Sequence, residues 1–348
     1  MTAPDPERRL ARLASPRAVA LALALVLLAL WTGACRTSKA APPTAVAPTA
    51  SATAQSPSTT SGVVTPPLYA VSGGAGATLV LLGTIHVGPE SGWSLSAATN
   101  SALDRADAAI LELDPDEQSE AQTGDLLATL VVLPPSTLLT DVISPETAKL
   151  LDLHDARLTA LGMPRNARIR LKPWYISAVL LELASRDGGY SMAAAVDHQV
   201  ARRMSGRPTS GLETMEQQLR FFDDLSPVLQ DAMLHDTLSR LDAGAEEVER
   251  LVAAWRVGDE AALAALAREG VEELPALADF YDLLLRDRNR RWITQLRDPL
   301  EDAALSGRTI LVAVGALHMV GADGLPALLR AAGYRVEAVD QDRRRDGA

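Results

Sequence analysis

Two stretches of the 348-residue chain share one local pattern. Leu79-Val80-Leu81-Leu82-Gly83-Thr84-Ile85-His86-Val87-Gly88 is an apolar run ending in Gly-x-x-His. Ile310-Leu311-Val312-Ala313-Val314-Gly315-Ala316-Leu317-His318 repeats it. Each apolar run reads as a buried strand. In α/β sheets the loops leaving strand C-termini build the ligand crevice, and Gly at that point lets the backbone approach a ligand closely. A His just beyond each Gly is placed to face such a crevice, and two could converge on one metal ion. A single motif is weak, since chance matches are common. Two copies, each directly after a buried strand, are a stronger signal. The plain alternative is a pair of structural histidines at strand ends.

Two carboxylates have similar placement. Glu112 lies within Ala109-Ile110-Leu111-Glu112-Leu113-Asp114, and a Glu inside an apolar run is costly to bury unless paired or metal-bound. An ion pair with a neighbouring Arg is its ordinary explanation. Glu213 follows Thr209-Ser210-Gly211-Leu212; its ordinary explanation is a carboxylate at a helix N-terminus, favoured by the macrodipole. Imidazole nitrogen with carboxylate oxygen suits Zn, Mn, Fe or Co and does not choose among them. Arg288 sits in Asp287-Arg288-Asn289-Arg290-Arg291-Trp292. In a crevice it could hold a substrate carboxylate or steady an oxyanion, but such a run reads first as a solvated charged helix face. His154, His198 and His235 fall in helical stretches with polar neighbours and read as surface or core residues.

The elements that must position these residues follow from the same patterns. Leu68–Val71 and Ala77–Leu82 flank a Gly-rich connection and predict a hairpin. Helices are expected over Ser96–Ala106, from Ser144-Pro145, over Pro173–Arg186 and over Ser191–Ser205, the last stopped by Gly206. Strands are expected over Ala108–Leu113 and Thr209–Leu212. Met215 to about Asp298 is almost entirely helical in pattern, with breaks at Ser226-Pro227, Ala243-Gly244, Gly258 and Gly270. A strand at Thr309–Val314, a helix at Leu325–Ala332 and a strand at Tyr334–Val339 close the chain. Strands at both ends with helices between predict one α/β domain: a mixed central sheet, flanking helices and a largely helical middle segment acting as an insertion or cap.

The N-terminus reads as an address. Arg8, Arg9, Arg12 and Arg17 precede an unbroken apolar run from Ala18 to Trp31 and then Thr32-Gly33-Ala34-Cys35. That order is the order of a secretory signal, and the run is shorter than a spanning helix needs. An uncleaved N-terminal anchor is the alternative. Gly33-Ala34-Cys35 resembles the end of a bacterial lipoprotein signal, with Thr32 where that pattern usually has Leu, so Cys35 is the expected lipidation site and a lipid would hold the domain at a membrane. Residues 35–67, rich in Ala, Pro, Thr and Ser, bury too little to order and are expected to form a disordered linker. The domain is expected over 68–340, with a charged tail at 341–348. The protein is thus expected to be exported to the cell envelope, lipid-anchored or periplasmic.

Composition excludes several classes. Cys35 is the only cysteine, so no intrachain disulfide framework or Cys-rich metal cluster is available. Aromatic residues make up 4%, and the net charge is −11; both argue against nucleic acid as the main partner.

At this point the chain resembles the TraB/GumN family, to which the Tiki metalloproteases are related. The resemblance rests on Leu82–Gly88, Leu111-Glu112-Leu113, Gly211–Leu219, Asp287-Arg288-Asn289 and Val314–Leu325, with Lys172-Pro173-Trp174 and Asp197 also fitting. It covers about Leu68 to Val339. It implies a mixed α/β fold in which His86 and His318 are the motif histidines, Glu112 their acidic partner and Arg288 the basic one, and it makes Arg288 a site candidate. Glu213 matches a recurrent motif of less settled role. Tiki relatives imply a peptidase dependent on a divalent metal, Mn or Co, acting on a peptide or protein. The expectation is therefore a metal-dependent hydrolase: His86, His318 and Glu112 as metal ligands, and Glu112, Arg288 and Glu213 as the catalytic set. Glu112 would be a ligand or a general base, and Arg288 would stabilise charge on the carbonyl oxygen. The absence of His-Glu-x-x-His sets it apart from zincins. The alternative is a non-catalytic envelope lipoprotein that binds metal, haem or peptide, since fold membership does not settle activity.

Overall fold

Strand β1 (Leu68–Ser72) folds back on β2 (Thr78–Thr84) through the Gly-rich turn, with Leu68 opposite Leu82 and Val71 opposite Leu79. This is the hairpin expected from sequence, seen here in a computed structural model that describes residues 62–113, 120–269 and 280–340. The signal-like segment, Cys35, most of the linker, the Gly270 break and the charged tail lie outside the described residues.

Helix α1 (Ala97–Arg105) starts at Ser96, whose hydroxyl accepts from the Thr99 N–H, and leads into β3 (Ala108–Leu113). The helical stretch that follows comprises α2 (Glu120–Leu130), α3 (Leu139–Val142), α4 (Pro145–Leu153), α5 (Asp155–Ala160), α6 (Arg165–Arg168), α7 (Pro173–Asp187) and α8 (Val196–Met204). Ser144 caps α4 and Pro145 occupies its first turn, as the sequence implies. After β4 (Thr209–Glu213) come α9 (Met215–Asp223), α10 (Pro227–Ser239), α11 (Gly244–Arg256) and α12 (Glu260–Arg268), divided at Ser226-Pro227, Ala243-Gly244 and Gly258. A π-helical turn, Asp282–Arg286, runs directly into α13 (Asp287–Glu301); β5 (Thr309–Gly315), α14 (Leu325–Ala331) and β6 (Arg335–Ala338) follow.

The strands form one six-stranded mixed sheet in the order β4-β3-β5-β2-β1-β6. β4, β3, β5 and β2 are mutually parallel, whereas β1 is antiparallel to both its neighbours. The central strands are buried along their length, with Leu79, Leu81, Leu82, Leu311, Val312 and Val314 fully enclosed. That is what near-continuous apolar runs do in a parallel sheet covered on both faces. A second, smaller core of Leu151, Leu158, Ile176, Leu180, Leu234 and Leu238 lies among α4, α5, α7 and α10. Helix α7 serves both cores, giving Trp174 and Leu181 to the main one. The helical middle is thus tied into the sheet domain.

Two expectations are corrected. The linker was expected to run to residue 67, yet Val64 is buried at 1% exposure and pairs with Leu95, and the Thr65 N–H donates to the Arg256 carbonyl at 2.8 Å. One apolar side chain in a Pro/Thr-rich stretch is enough to fasten it to the fold. Ser191–Ser205 was expected to be one helix, but a 3₁₀ turn (Met192–Ala194) precedes α8, with Ala195 extended between them. The break lets the Val196 N–H donate to the Ile85 carbonyl at 3.0 Å, across to the loop after β2. Among the described residues no helix is long and apolar enough to cross a membrane.

Candidate active site

Because β2, β5, β3 and β4 are parallel, their C-terminal ends share one edge of the sheet. Thr84 is level with Gly315, and Leu113 with Glu213. His86 follows β2 by two residues, His318 follows β5 by three, and Glu112 and Glu213 lie at the ends of β3 and β4. Local sequence therefore delivers all four to one place. His86, Glu112 and His318 line a single cavity together with Thr84 and Gly315.

Each histidine is held by its Nδ1. Nδ1–H of His86 donates to Asp197 Oδ2 at 2.8 Å, and the Thr84 hydroxyl donates to the other oxygen of that carboxylate at 2.6 Å. Asp197 opens α8, and that segment is brought onto the His86 loop through Gly88. The Gly88 N–H donates to the Ser191 carbonyl, and a Cβ on Gly88 would stand 2.1 Å from the Ala194 carbonyl oxygen, so only glycine fits. Nδ1–H of His318 donates to Asn289 Oδ1 at 2.6 Å, while the Asn289 amide donates to the Asp323 carbonyl at 2.7 Å. Nε2 of His86 is left for the site, whereas Nε2 of His318 accepts from Arg288 Nη1 at 3.3 Å. His86 Nε2, Glu112 Oε2 and His318 Cδ2 lie 3.3, 3.6 and 3.7 Å from the point where a Cβ on Gly315 would stand.

Behind this wall Arg288 binds two carboxylates. Nη2 donates to Glu112 Oε1 at 2.6 Å and to Glu213 Oε2 at 2.7 Å, and Nε donates to both Glu213 oxygens at 3.0–3.1 Å. Nη1 donates to His318 Nε2 at 3.3 Å and to the Leu284 carbonyl, in the π-helical turn, at 3.4 Å. Trp292 Nε1–H also donates to Glu213, at 3.1 Å. The charged run is thus not simply a solvated face. Arg288 (2% exposed) heads the buried stripe Trp292, Leu296, Leu300 of α13, while the side chains of Arg290 and Arg291 point outward. Glu112 is in an ion pair with an Arg, the ordinary explanation open to it from sequence. Its Oε1 also accepts from the Gln218 amide at 2.9 Å, and its Oε2 accepts from the Gly315 N–H at 3.1 Å. Glu213 is not the cap of α9; Thr214 is, in a capping box with Gln217.

These contacts set the charges. Burial opposes the cation on His86, but the adjoining Asp197 carboxylate prevails and pushes the imidazole up to about 9. Burial and the Arg288 charge push His318 down to about 3, so that ring is neutral. Burial would raise Glu112; Arg288 beside it, helped by the two histidines and the Gly315 N–H, holds its carboxyl well below the usual carboxylate range.

A neutral His318 and an ionised carboxylate are part of the donor chemistry a borderline divalent cation uses, and His86 joins them on giving up the proton that Asp197 favours; a side-chain oxygen on each Nδ1 is the usual support for a ligating His. As it stands the set is not a closed cage: among the described residues no group of three or more His, Cys, Asp or Glu is spaced to hold a metal ion. The cavity brings together His86, His318 and Glu112; Arg288 and Glu213 stand one layer behind it; His154, His198 and His235 do not line it. Gln218 and the anchoring roles of Thr84, Asp197 and Asn289 were not assigned from sequence. They carry no local mark beyond lying in or beside the motifs.

A parallel-stranded edge bearing two Gly-x-x-His loops, a strand Glu and a buried Arg defines the class. The TraB/PrgY/gumN family profile matches residues 67–338, and the chain belongs to this family. Among curated proteins, "Uncharacterized protein YbaP" of Escherichia coli (strain K12) is 29% identical over 254 residues, 72% of this chain and 87% of the relative. The protein of the same name from Shigella flexneri matches over the same span at the same identity. No solved structure matches.

Proposed function

We propose that this protein is a metal-dependent hydrolase of the cell envelope, most plainly a peptidase, with His86, His318 and Glu112 as its metal ligands. The observation that carries the reading is the pairing of His86 and His318 on adjacent strand ends. Each has Nδ1 tied to a side-chain oxygen; His86 Nε2 lies beside the same point as Glu112 Oε2, and His318 Nε2 would exchange its bond from Arg288 for the metal. Mn and Co are the metals the family resemblance suggests; Zn and Fe suit the same donors. Bound there, a divalent ion would polarise a carbonyl and make its water more acidic.

The chain's own residues do the rest by position. Asp197 and Asn289 fix the two rings and their tautomers. Oε1 of Glu112 is committed to Arg288 and Gln218, so Oε2 is the oxygen able to ligate or to accept a proton from water. Arg288 does not line the cavity, so its role is that of a positioning residue: it sets Glu112 and faces His318 rather than the substrate oxygen. Glu213 in turn holds Arg288. The envelope location rests on the signal-like segment and Cys35, which suggest export and a lipid anchor.

A second reading, a non-catalytic binding protein for metal, haem or peptide, draws on one contact. Nη1 of Arg288 occupies the lone pair of His318 Nε2 that ligation would need. One experiment separates the two. The full chain is incubated with a peptide library and Mn²⁺, Co²⁺ or Zn²⁺, beside His86→Ala and His318→Ala. Metal-dependent cleavage lost in both variants supports the hydrolase. Tight binding without turnover under every metal supports the binding protein.

A further inference from the structure

The loop that carries His86 is held from outside at alternate carbonyls. Nε1–H of Trp255, in α11, donates to the Gly83 carbonyl at 2.9 Å, and Nε1–H of Trp93, in the segment before α1, donates to the Val87 carbonyl at 2.8 Å. Between them the Ile85 carbonyl takes the Val196 N–H. The two indoles also touch, with ring centroids 5.1 Å apart and planes at 59°. Trp255 is fully buried and Trp93 is 8% exposed. An indole has one N–H and no acceptor, so each ring is committed to its carbonyl. Buried indoles usually find a partner; what sets this pair apart is that both partners flank one histidine. The loop ends are tightly packed as well. A Cβ on Gly83 would stand 3.2 Å from Ala316 Cα, in the second Gly-x-x-His loop, and one on Gly88 would stand 3.0 Å from Trp93 Nε1. The cavity that His86 faces is about 20 Å³, room for a water or two, so its ring has little slack.

We infer that Trp93 and Trp255 are positioning residues: the paired indoles fix the backbone on both sides of His86 and thereby place its Nε2 at the cavity. They act through the Gly83 and Val87 carbonyls. A ligating side chain has to be held to within about 0.5 Å of its working position, and a loop outside any strand or helix does not hold itself. The inference deepens the metal-site reading and rests on it only where metal affinity is the readout. Trp→Phe keeps an aromatic ring and removes the N–H, which leaves a buried carbonyl without its donor. The loop then shifts toward water or another donor, and His86 shifts with it.

The test compares full-length Trp93→Phe and Trp255→Phe with Trp174→Phe. Trp174 is fully buried in the same core, and its Nε1–H faces Asp223 at 3.4 Å, so it suffers the same chemical loss away from the His86 loop. Amide hydrogen exchange is followed by mass spectrometry, and Mn²⁺ and Co²⁺ are titrated into each protein. In Trp93→Phe and Trp255→Phe, exchange over residues 83–88 should be at least tenfold faster and metal affinity at least fivefold weaker. Peptides of the second core, around Ile176 and Leu180, should exchange as in wild type. Trp174→Phe should leave both readouts at the loop and the metal unchanged, even where its melting temperature falls as far. Unchanged exchange over 83–88 in either indole variant, wild-type metal affinity in a loosened one, or an equal loss in Trp174→Phe overturns the inference. If the wild type binds no divalent metal, the metal-site reading fails and the exchange arm alone decides on the indoles. If one variant does not fold, the other decides; if neither folds, the indole N–H protons of the wild type decide. Those of Trp93 and Trp255 should exchange as slowly as the amides of β2, and faster exchange overturns the inference.

Discussion

Glu213 holds Arg288 side-on. Nε lies 3.0–3.1 Å from both carboxylate oxygens and Nη2 lies 2.7 Å from one of them. The same Nη2 reaches Glu112 at 2.6 Å, so one guanidinium serves a carboxylate at the cavity and a carboxylate behind it. Arg288→Met removes the cation the two share, leaving Glu213 only Arg291 at 3.5 Å, and removing one partner of a buried ion pair costs about 3–5 kcal/mol. Glu213→Gln combined with Arg288→Met should be less damaging than the sum of the two single changes, with a coupling of at least about 1 kcal/mol. Urea unfolding of the four proteins measures this; strict additivity would contradict the clamp.

Asp197 acts on the site through His86 and Thr84. Asp197→Asn keeps the shape of the side chain but no longer secures the Nδ1–H tautomer. Outer-shell changes of this kind weaken metal binding by about 10–100-fold. Titration of Mn²⁺ or Co²⁺ into the variant should show that loss, while the far-ultraviolet spectrum stays that of wild type. An unchanged affinity would mean that His86 is not a ligand.

Gly315→Ala is the sharpest geometric test. The added methyl would stand 3.3 Å from His86 Nε2 and 3.6 Å from Glu112 Oε2. Gly315 has an ordinary extended backbone (φ −50, ψ 136), so alanine brings no left-handed strain. The variant should unfold within about 1–3 kcal/mol of wild type, the usual range for an extra methyl in a packed interior. Its metal affinity and any hydrolysis should fall at least tenfold. Full activity in Gly315→Ala would place the reacting centre elsewhere.

Val64 is part of the fold. A chain truncated to start at Leu68 loses its buried side chain and the bond from Thr65 to Arg256. Burial of one Val contributes about 1.5–3 kcal/mol, so thermal unfolding should occur several degrees lower than in a chain starting at residue 62. Equal midpoints would return residues 62–67 to the linker.

Cys35→Ser tests the anchor. Lipidated protein partitions with membranes, and the serine variant should move to the soluble fraction of the envelope. A membrane-bound serine variant would favour an uncleaved N-terminal anchor.

The two histidines were legible because their signal is short: an apolar run, a glycine and a His within ten residues, twice. Glu112 was legible for the same reason, a charge stranded in an apolar strand. The burial of Arg288 was not. Charged neighbours on both sides describe a wet surface, and the inward spacing to Trp292, Leu296 and Leu300 gains its meaning from Glu112 and Glu213, which lie far away in sequence. Asp197 and Asn289 are legible only in three dimensions, since an Asp or Asn in a helix looks the same whether it orients an imidazole or faces water. The helices were readable at their ends, where Ser96, Ser144-Pro145 and Ser226-Pro227 announce themselves. Val64 was missed because composition averages over a window and one anchoring residue does not move the average.

The position of β5 sets an order of events in assembly. This late strand lies between β2 and β3, and it alone joins the two halves of the sheet. A chain emerging from the ribosome carries His86, Glu112 and Glu213 long before residues 309–315 exist, but nothing yet holds β2 beside β3. Contacts of such long sequence separation also form slowly. The cavity is therefore incomplete through most of synthesis, and forms in one late step when residues 309–318 enter the middle of the sheet.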